Sequence, residues 1–231
     1  VYKRQLLAFL AYETRPADDR LAVSGLAPRE RFGGYDKVIR DRPFVGMVGG
    51  FTLATICATL VWVLLGVYVT ENYGLTESQY GFIPMTNALI VVFLQVAVTN
   101  RSKHKSPQQV MAAGSLLYAL GVASMGFAFN FWGFWLGMVT LSLGELLLVP
   151  TATTFAANLA PADMRGRYMS LHSLSWQLAA GIGPLIGGLL NDLISPQSTW
   201  LGGGIIGMAA AGYFLWAGVR QRRASLQAAA G

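Results

Sequence analysis

The sequence predicts an all-α polytopic membrane protein with six transmembrane helices, and three observations lead there. Hydrophobic residues make up 54% of the 231-residue chain and charged ones 12%, about half the roughly 25% usual in soluble domains. The charges are also clustered: residues 43–70, 78–100, 106–144, 168–191 and 193–219 contain no Asp, Glu, Lys or Arg. A bilayer-spanning helix needs about 20 mostly apolar residues, so each run is long enough to span. Finally, every Lys and Arg falls in alternate links between these runs. In lipid, only helices and closed barrels satisfy their own backbone groups. The runs are about twice the length of a barrel strand and do not alternate polar with apolar, so helices are expected. A water-soluble domain, a disordered chain and a disulfide scaffold are excluded. The one cysteine, Cys57, lies inside a run and reads as a small core residue.

The elements follow in order. Residues 1–42 hold 9 of the 17 Lys and Arg and 6 of the 11 Asp and Glu. Residues 6–12 are apolar but too short to span; they read as the tail of a preceding helix or as a short interfacial anchor. Residues 12–42, with Pro16, Pro28 and Gly33-Gly34, read as a water-exposed linker. The first span is expected over 43–70, where Pro43 suits a helix start because its missing N–H would be unpaired there anyway. Asn72-Tyr73-Gly74 turns the chain, and the second span covers about 79–98. The 39-residue run 106–144 is too long for one span at about 1.5 Å per residue. Asn130, set among Phe129, Phe131, Trp132 and Gly133, is the expected break and an aromatic belt at the membrane surface. This gives a third span over about 107–129 and a fourth over 134–158. The fifth covers 168–190, the sixth 200–219, and residues 221–231 form a tail.

The positive charges orient the bundle. Nine precede the first span, Arg101, Lys103 and Lys105 follow the second, Arg165 and Arg167 follow the fourth, and Arg220, Arg222 and Arg223 follow the sixth. The other links hold none. The positive-inside rule then places both termini in the cytoplasm, in a multi-pass protein of the cell (inner) membrane. The net charge of +6 expresses topology and affinity for anionic lipid. Nucleic acid is not an expected partner, because the bases sit in short separated loops without interleaved aromatics.

Glu145 is the only carboxylate inside a span. A charge at mid-membrane costs roughly 2.5–3.5 kcal/mol on insertion scales, and such residues mark ion or substrate pathways. It reads as a proton carrier or cation-binding group, against a neutral acid bonded to a neighbouring helix. Pro150, five residues on, removes a backbone bond and kinks that helix. Polar stripes occur at helical spacing: Thr52, Thr55, Thr59 and Trp62 in span one, Asn87 and Gln95 in span two, and Ser170, Ser173 and Gln177 in span five. They point to a protein interior or a watery cavity, or, for threonine and serine, to bonds within their own helix. His172, near the basic end, reads as structural. Gly183, Pro184 and Gly187 within 181–188 permit close helix approach and bending. There is no G-x-S-x-G, no H-E-x-x-H and no P-loop, and Glu145 has no acidic partner, so neither an enzyme nor ATP use is expected. No cofactor and no metal site is expected.

The stretch LGELLLVPTATTFAANLAPADMRGRYMSLHSLSWQLAAGIGPLIGGLL resembles the fourth and fifth helices of the C-terminal half of a major facilitator superfamily transporter. The resemblance rests on Gly144-Glu145 with Pro150, Ala160-Pro161, Arg165-Gly166-Arg167-Tyr168 and the GPLIGG run, which is similar to the repeat copy of the antiporter motif of drug/proton exporters. NRSKHKSP sits where the family carries its basic loop, without the family's Gly and Asp. The resemblance covers about residues 43–220. It implies half of a twelve-helix fold, built as two inverted three-helix repeats, with residues 12–42 as the cytoplasmic inter-half loop and an N-terminal six-helix half missing. It further implies that helices one, two, four and five face the substrate path.

The expected function is therefore that of a secondary active transporter half: proton-coupled export of small amphipathic molecules by alternating access, of the drug/proton antiporter or peptide-carrier kind. Glu145 would carry the proton. Trp62, Thr59, Asn87, Gln95 and Gln177 would line the substrate path. Pro150, Gly183, Pro184, Gly187, Arg165 and Arg167 would serve conformational change and packing. The expected partners are a small-molecule substrate, protons, the bilayer and the missing half. The alternatives are a complete six-helix carrier acting as a homodimer and a non-transporting membrane accessory subunit.

Overall fold

Helix α1, Arg42–Tyr73, begins just after Asp41, with Pro43 in its first turn. The Asp41 carboxylate accepts a hydrogen bond from the Phe44 N–H (3.2 Å), and the proline supplies the first turn without a wasted donor. The computed structural model describes residues 34–230, so the expectations placed on residues 1–33 lie outside it. The short helix Tyr35–Arg40 belongs to a unit separate from the one that starts at Asp41.

From Asp41 onward the chain forms six long helices: α1 Arg42–Tyr73, α2 Glu77–Ser102, α3 Pro107–Met125, α4 Phe131–Leu159, α5 Arg165–Leu193 and α6 Ser198–Ala230. A single 3-10 turn, Ala162–Met164, leads into α5. No strand occurs among the described residues. Five of the six are long and apolar enough to cross a membrane. Helix α3 is not among them: it has 19 residues, about 28 Å at 1.5 Å per residue, and opens on polar Gln108 and Gln109.

The ends of the helices have local causes. Gly74 closes α1 with φ +65° and donates back to the Thr70 and Val69 carbonyls, a conformation natural to glycine. Thr76 and Gln79 form a reciprocal capping box for α2, which therefore starts earlier than residue 79. Helix α3 stops at Met125 rather than at 129. There the Gly126, Phe127 and Ala128 amides turn back to the Ala123, Ser124 and Met125 carbonyls, tightening the last turn to i→i+3 bonds. Asn130 is extended and caps α4 by accepting from the Gly133 N–H. Helix α6 continues past residue 219, through the arginines, to Ala230.

The packing relies on glycines that bring backbones together. A Cβ placed on Gly114 would lie 2.9 Å from the Gly144 carbonyl oxygen, and one on Gly121 would lie 2.8 Å from that of Gly137. The seven-residue spacings 114/121 and 137/144 thus mesh two antiparallel helices, α3 and α4, at backbone distance. Gly203, Gly204 and Gly207 of α6 admit Val122, Ala123 and Ala119 of α3, with Leu60 and Cys57 of α1. Gly183 of α5 lies on Thr59 and the Ile56 carbonyl, and Gly187 on Leu60 and Leu64. Gly181 and Gly188 face open space, so only one side of the GPLIGG run is a packing face.

These registers fix direction. Contacts of α1 with α5 advance together, from Phe44–Tyr168 through Phe51–His172 to Thr59–Gly183, so the two run parallel. Helix α6 runs against both α1 and α3, and α4 against α3. The starts of α1, α3 and α5 and the ends of α4 and α6 therefore lie at one end of the bundle, where Arg42, Arg165, Arg167, Arg220, Arg222 and Arg223 collect. Helix α2 packs chiefly on α4 and leaves most of its surface uncovered, including Val92, Phe93 and Val96 at 71–73% exposure.

Gly121→Val is expected to cost about 1–3 kcal/mol, because overpacking here must separate two backbones. Gly181→Ala, with nothing within 4 Å, should change stability by less than about 0.5 kcal/mol. Thermal unfolding in detergent micelles measures both; equal losses would contradict the assignment of the close contact.

Candidate functional site

Three polar side chains meet between α2 and α4. The Asn87 Nδ2 donates to Glu145 Oε2 at 2.8 Å and to Ser142 Oγ at 3.0 Å. The Ser142 hydroxyl donates in turn to the Met138 carbonyl (2.7 Å). Ser142 and Glu145 are three residues apart and so share a helix face. Asn87 and Ser142 are buried, while Glu145 is half-buried. The hydroxyl and one carboxylate oxygen thus take both amide hydrogens, and the Asn87 carbonyl oxygen is left as an acceptor.

The close α3–α4 contact positions this cluster. Gly144 accepts Tyr118 of α3 against its own backbone, which turns the next residue, Glu145, towards α2. One further bond joins α2 and α4: the Trp135 indole N–H donates to Thr86 Oγ1 (2.9 Å). Together the two links hold α2, an element with little other packing, against α4.

The remaining sequence candidates are placed as follows. Thr59 is buried, and its hydroxyl contacts the Ile56 carbonyl of its own helix (2.9 Å) and the Ala179 carbonyl of α5 (3.0 Å), joining α1 to α5 opposite Gly183. Trp62 is 41% exposed. Gln95 is half-buried and donates within its helix to Thr99 Oγ1 (3.0 Å). Gln177 is exposed. No hydrogen bond joins Trp62, Gln95 or Gln177 to Glu145. Thr52 and Thr55 bond back to the Val48 and Phe51 carbonyls of their own helix. Pro150 lies inside α4 and Pro184 inside α5. Arg165 is exposed and Arg167 half-buried in the first turn of α5.

Several contacts escaped the sequence reading. Ser142 could have been found from its three-residue spacing to Glu145. At the basic end, Asp41 caps α1 with one oxygen while the other accepts from the Tyr168 hydroxyl (2.7 Å), and the Tyr168 ring packs on Phe44. This pins the start of α5 to the start of α1. His172 is buried against Phe51; its Nε2 lies 3.4 Å from Thr153 Oγ1 of α4, and its Nδ1 has no partner among the described residues. No group of three or more His, Cys, Asp or Glu that could hold a metal ion occurs among the described residues.

The sequence model of the Major Facilitator Superfamily matches residues 47–230. The chain belongs to the Major Facilitator Superfamily. Among its relatives, a Na(+), Li(+), K(+)/H(+) antiporter of Planococcus maritimus is 31% identical over 74% of this chain and 42% of its own length. Multidrug resistance protein MdtH of Yersinia pestis is 28% identical over 82% of this chain and 48% of its own. The chain thus spans less than half the length of these relatives. A crystal structure of a POT family transporter in complex with a thioalcohol-conjugated peptide superimposes with a TM-score of 0.68 over 84% of this chain and 42% of that one, at 19% identity, a likeness of fold. The chain is accordingly a multi-pass membrane protein of a transporter family, not an enzyme.

Asn87→Ala and Glu145→Ala should couple in a double-mutant cycle by about 0.6–1.7 kcal/mol, from the average to the maximum measured for hydrogen bonds between membrane helices. Additive losses in reversible detergent unfolding would mean that the α2–α4 bond contributes nothing.

Proposed function

We propose that this chain is the C-terminal half of a proton-coupled secondary transporter that exports small amphipathic molecules by alternating access. The observation that carries the reading is the Asn87–Ser142–Glu145 cluster, a carboxyl held by an amide from a neighbouring helix inside the spans. Isolating a carboxyl there costs energy that a purely structural bond does not recover, whereas a carrier needs a group that can take and release a proton. An amide donor stabilises the ionised form at 2.8 Å, and protonation weakens that link. The protonation state of Glu145 would therefore alter how firmly α2 is held to α4.

The helix pairing supports an arrangement of two inverted three-helix repeats: α1 packs on α5 and α6 as α4 packs on α2 and α3. Such repeats place substrate at mid-membrane between halves. On this reading Trp62, Asn87, Gln95 and Gln177 line the path from α1, α2 and α5, and Thr59 ties α1 to α5 behind it. Pro150, Pro184, Gly183 and Gly187 allow α4 and α5 to bend and slide. Arg165 and Arg167 hold the cytoplasmic turn. Both termini lie in the cytoplasm of an inner-membrane protein, all six helices span, and an N-terminal six-helix half supplies the opposite wall. The multidrug and antiporter names of the relatives favour a small-molecule cargo exchanged against protons.

A second reading has one observation behind it. The Ser142 hydroxyl and the Glu145 carboxylate both face the Asn87 amide within 3.0 Å, and turning that amide over would add its carbonyl oxygen to them as a third hard oxygen ligand for a cation. Exchange of sodium for protons in vesicles, absent in Asn87→Leu, would favour cation antiport.

Glu145→Gln in the intact transporter is expected to abolish transport driven by a proton gradient, while expression and membrane insertion persist. Transport in inverted vesicles under an imposed pH gradient measures it. Undiminished transport would remove Glu145 from the mechanism.

A further inference from the structure

At the basic end of the bundle a cavity of about 500 Å³ opens between α1, α3, α4 and α6. Its lining is sorted by depth. Arg42 of α1, Gln108 of α3, and Arg220 and Gln221 of α6 stand at the outer rim. Met47, Met111, Phe155, Tyr213 and Phe214 lie one to two turns further in on the same four helices. Among the described residues no carboxylate lines it. The nearest in sequence, Asp41, already bonds the Phe44 amide and the Tyr168 hydroxyl. The Arg220 guanidinium rests 5.4 Å from the Trp216 ring centroid, which holds it at the mouth. A hydrogen bond from Gln108 to Gln221 separates this cavity from a second of about 550 Å³, which shares both glutamines and adds Arg222.

We propose that this cavity is a binding site for an acidic phospholipid, with its phosphate between Arg42 and Arg220 and the upper part of one acyl chain against Met47, Phe155 and Tyr213. Charge and shape agree. Guanidinium groups are matched to phosphate oxygens, and basic pockets between membrane helices on the cytoplasmic side take anionic headgroups. The volume lies in the range of about 300–1,000 Å³ of small-molecule sites; it admits a headgroup with its glycerol and leaves the rest of the chains in the bilayer. The flank of the mouth points to lipid rather than to a water-borne phosphate. Trp216 of α6 lines the cavity and is 55% exposed, and Leu215 and Val219 beside it, which line the second cavity, are 52–55% exposed, so an occupant enters from the hydrocarbon side. The site lies apart from the Asn87–Glu145 cluster and is independent of what the transporter carries.

The test uses the protein in detergent micelles, exposed to phosphatidylglycerol, to phosphatidylcholine of the same chain length, or to phosphatidylglycerol with inorganic phosphate. Retained lipid is read by mass spectrometry of the intact protein. Phosphatidylglycerol should be retained roughly tenfold or more over phosphatidylcholine, the scale that two basic residues at an anionic headgroup provide. Arg42→Gln with Arg220→Gln should remove the preference. Lys103→Gln with Lys105→Gln, on the exposed link at the same end, should keep it. Ala217→Trp fills the cavity with every charge in place and should also abolish retention, so the proposal does not depend on one variant folding. Equal retention of the two lipids, equal loss in the link variant, unchanged retention in Ala217→Trp, or displacement by phosphate at matched concentration would each overturn it.

Discussion

The backbone contact of α3 with α4 is the constraint from which the rest of the candidate site follows. Four glycines remove the side chains that would otherwise hold two helices apart. Lipid tails are as apolar as leucine, so helices in a membrane associate through close packing and hydrogen bonds rather than by escape from water. Once α4 is locked against α3 with Tyr118 on Gly144, Glu145 has one direction left, towards α2. Helix α2 has few other contacts and is held by its own Asn87, directed at α4, and by Trp135 of α4, directed at Thr86. A firm pair thus presents a carboxyl to a loosely attached third helix.

The polar side chains inside the spans divide into two kinds. Thr52, Thr55, Thr70 and Thr140 return their hydroxyls to carbonyls of their own helix and ask nothing of their neighbours. Thr59, Asn87, Trp135 and Thr199 reach across to another helix. The crossing bonds mark the contacts α1–α5, α2–α4 and α5–α6, where glycine packing is one-sided or absent. Packing fixes some pairs and hydrogen bonds hold others, which is the division a protein needs if only certain helices are to move.

The all-helical membrane fold was legible because it follows from composition: uncharged runs of 20 to 40 residues admit little else in lipid. Asn130 as the break in the long run was legible for a related reason, since a capping residue amid aromatics has few other uses. The end of α3 was not, because Gly126 closes it through a turn whose bonds depend on backbone geometry rather than on residue type. The glycine spacings 114/121 and 137/144 were present in the sequence, yet small residues at helical spacing are common, and only the facing helix shows which of them matter. Asn87 and Glu145 both stood out as costly in lipid, but their pairing required the α2–α4 contact. Trp62, Gln95 and Gln177 share a character with the site without sharing a bond to it. The Asp41–Tyr168 tie spans 127 residues and no local pattern announces it.

The proposed mechanism requires Glu145 to exchange a proton while Asn87 holds it. Infrared difference spectroscopy of the intact protein across a pH step reads this directly. A carboxylic-acid C=O band is expected to grow on acidification, vanish in Glu145→Gln and shift in frequency in Asn87→Ala. Difference spectra identical in the wild type and Glu145→Gln over the whole stable pH range would contradict it.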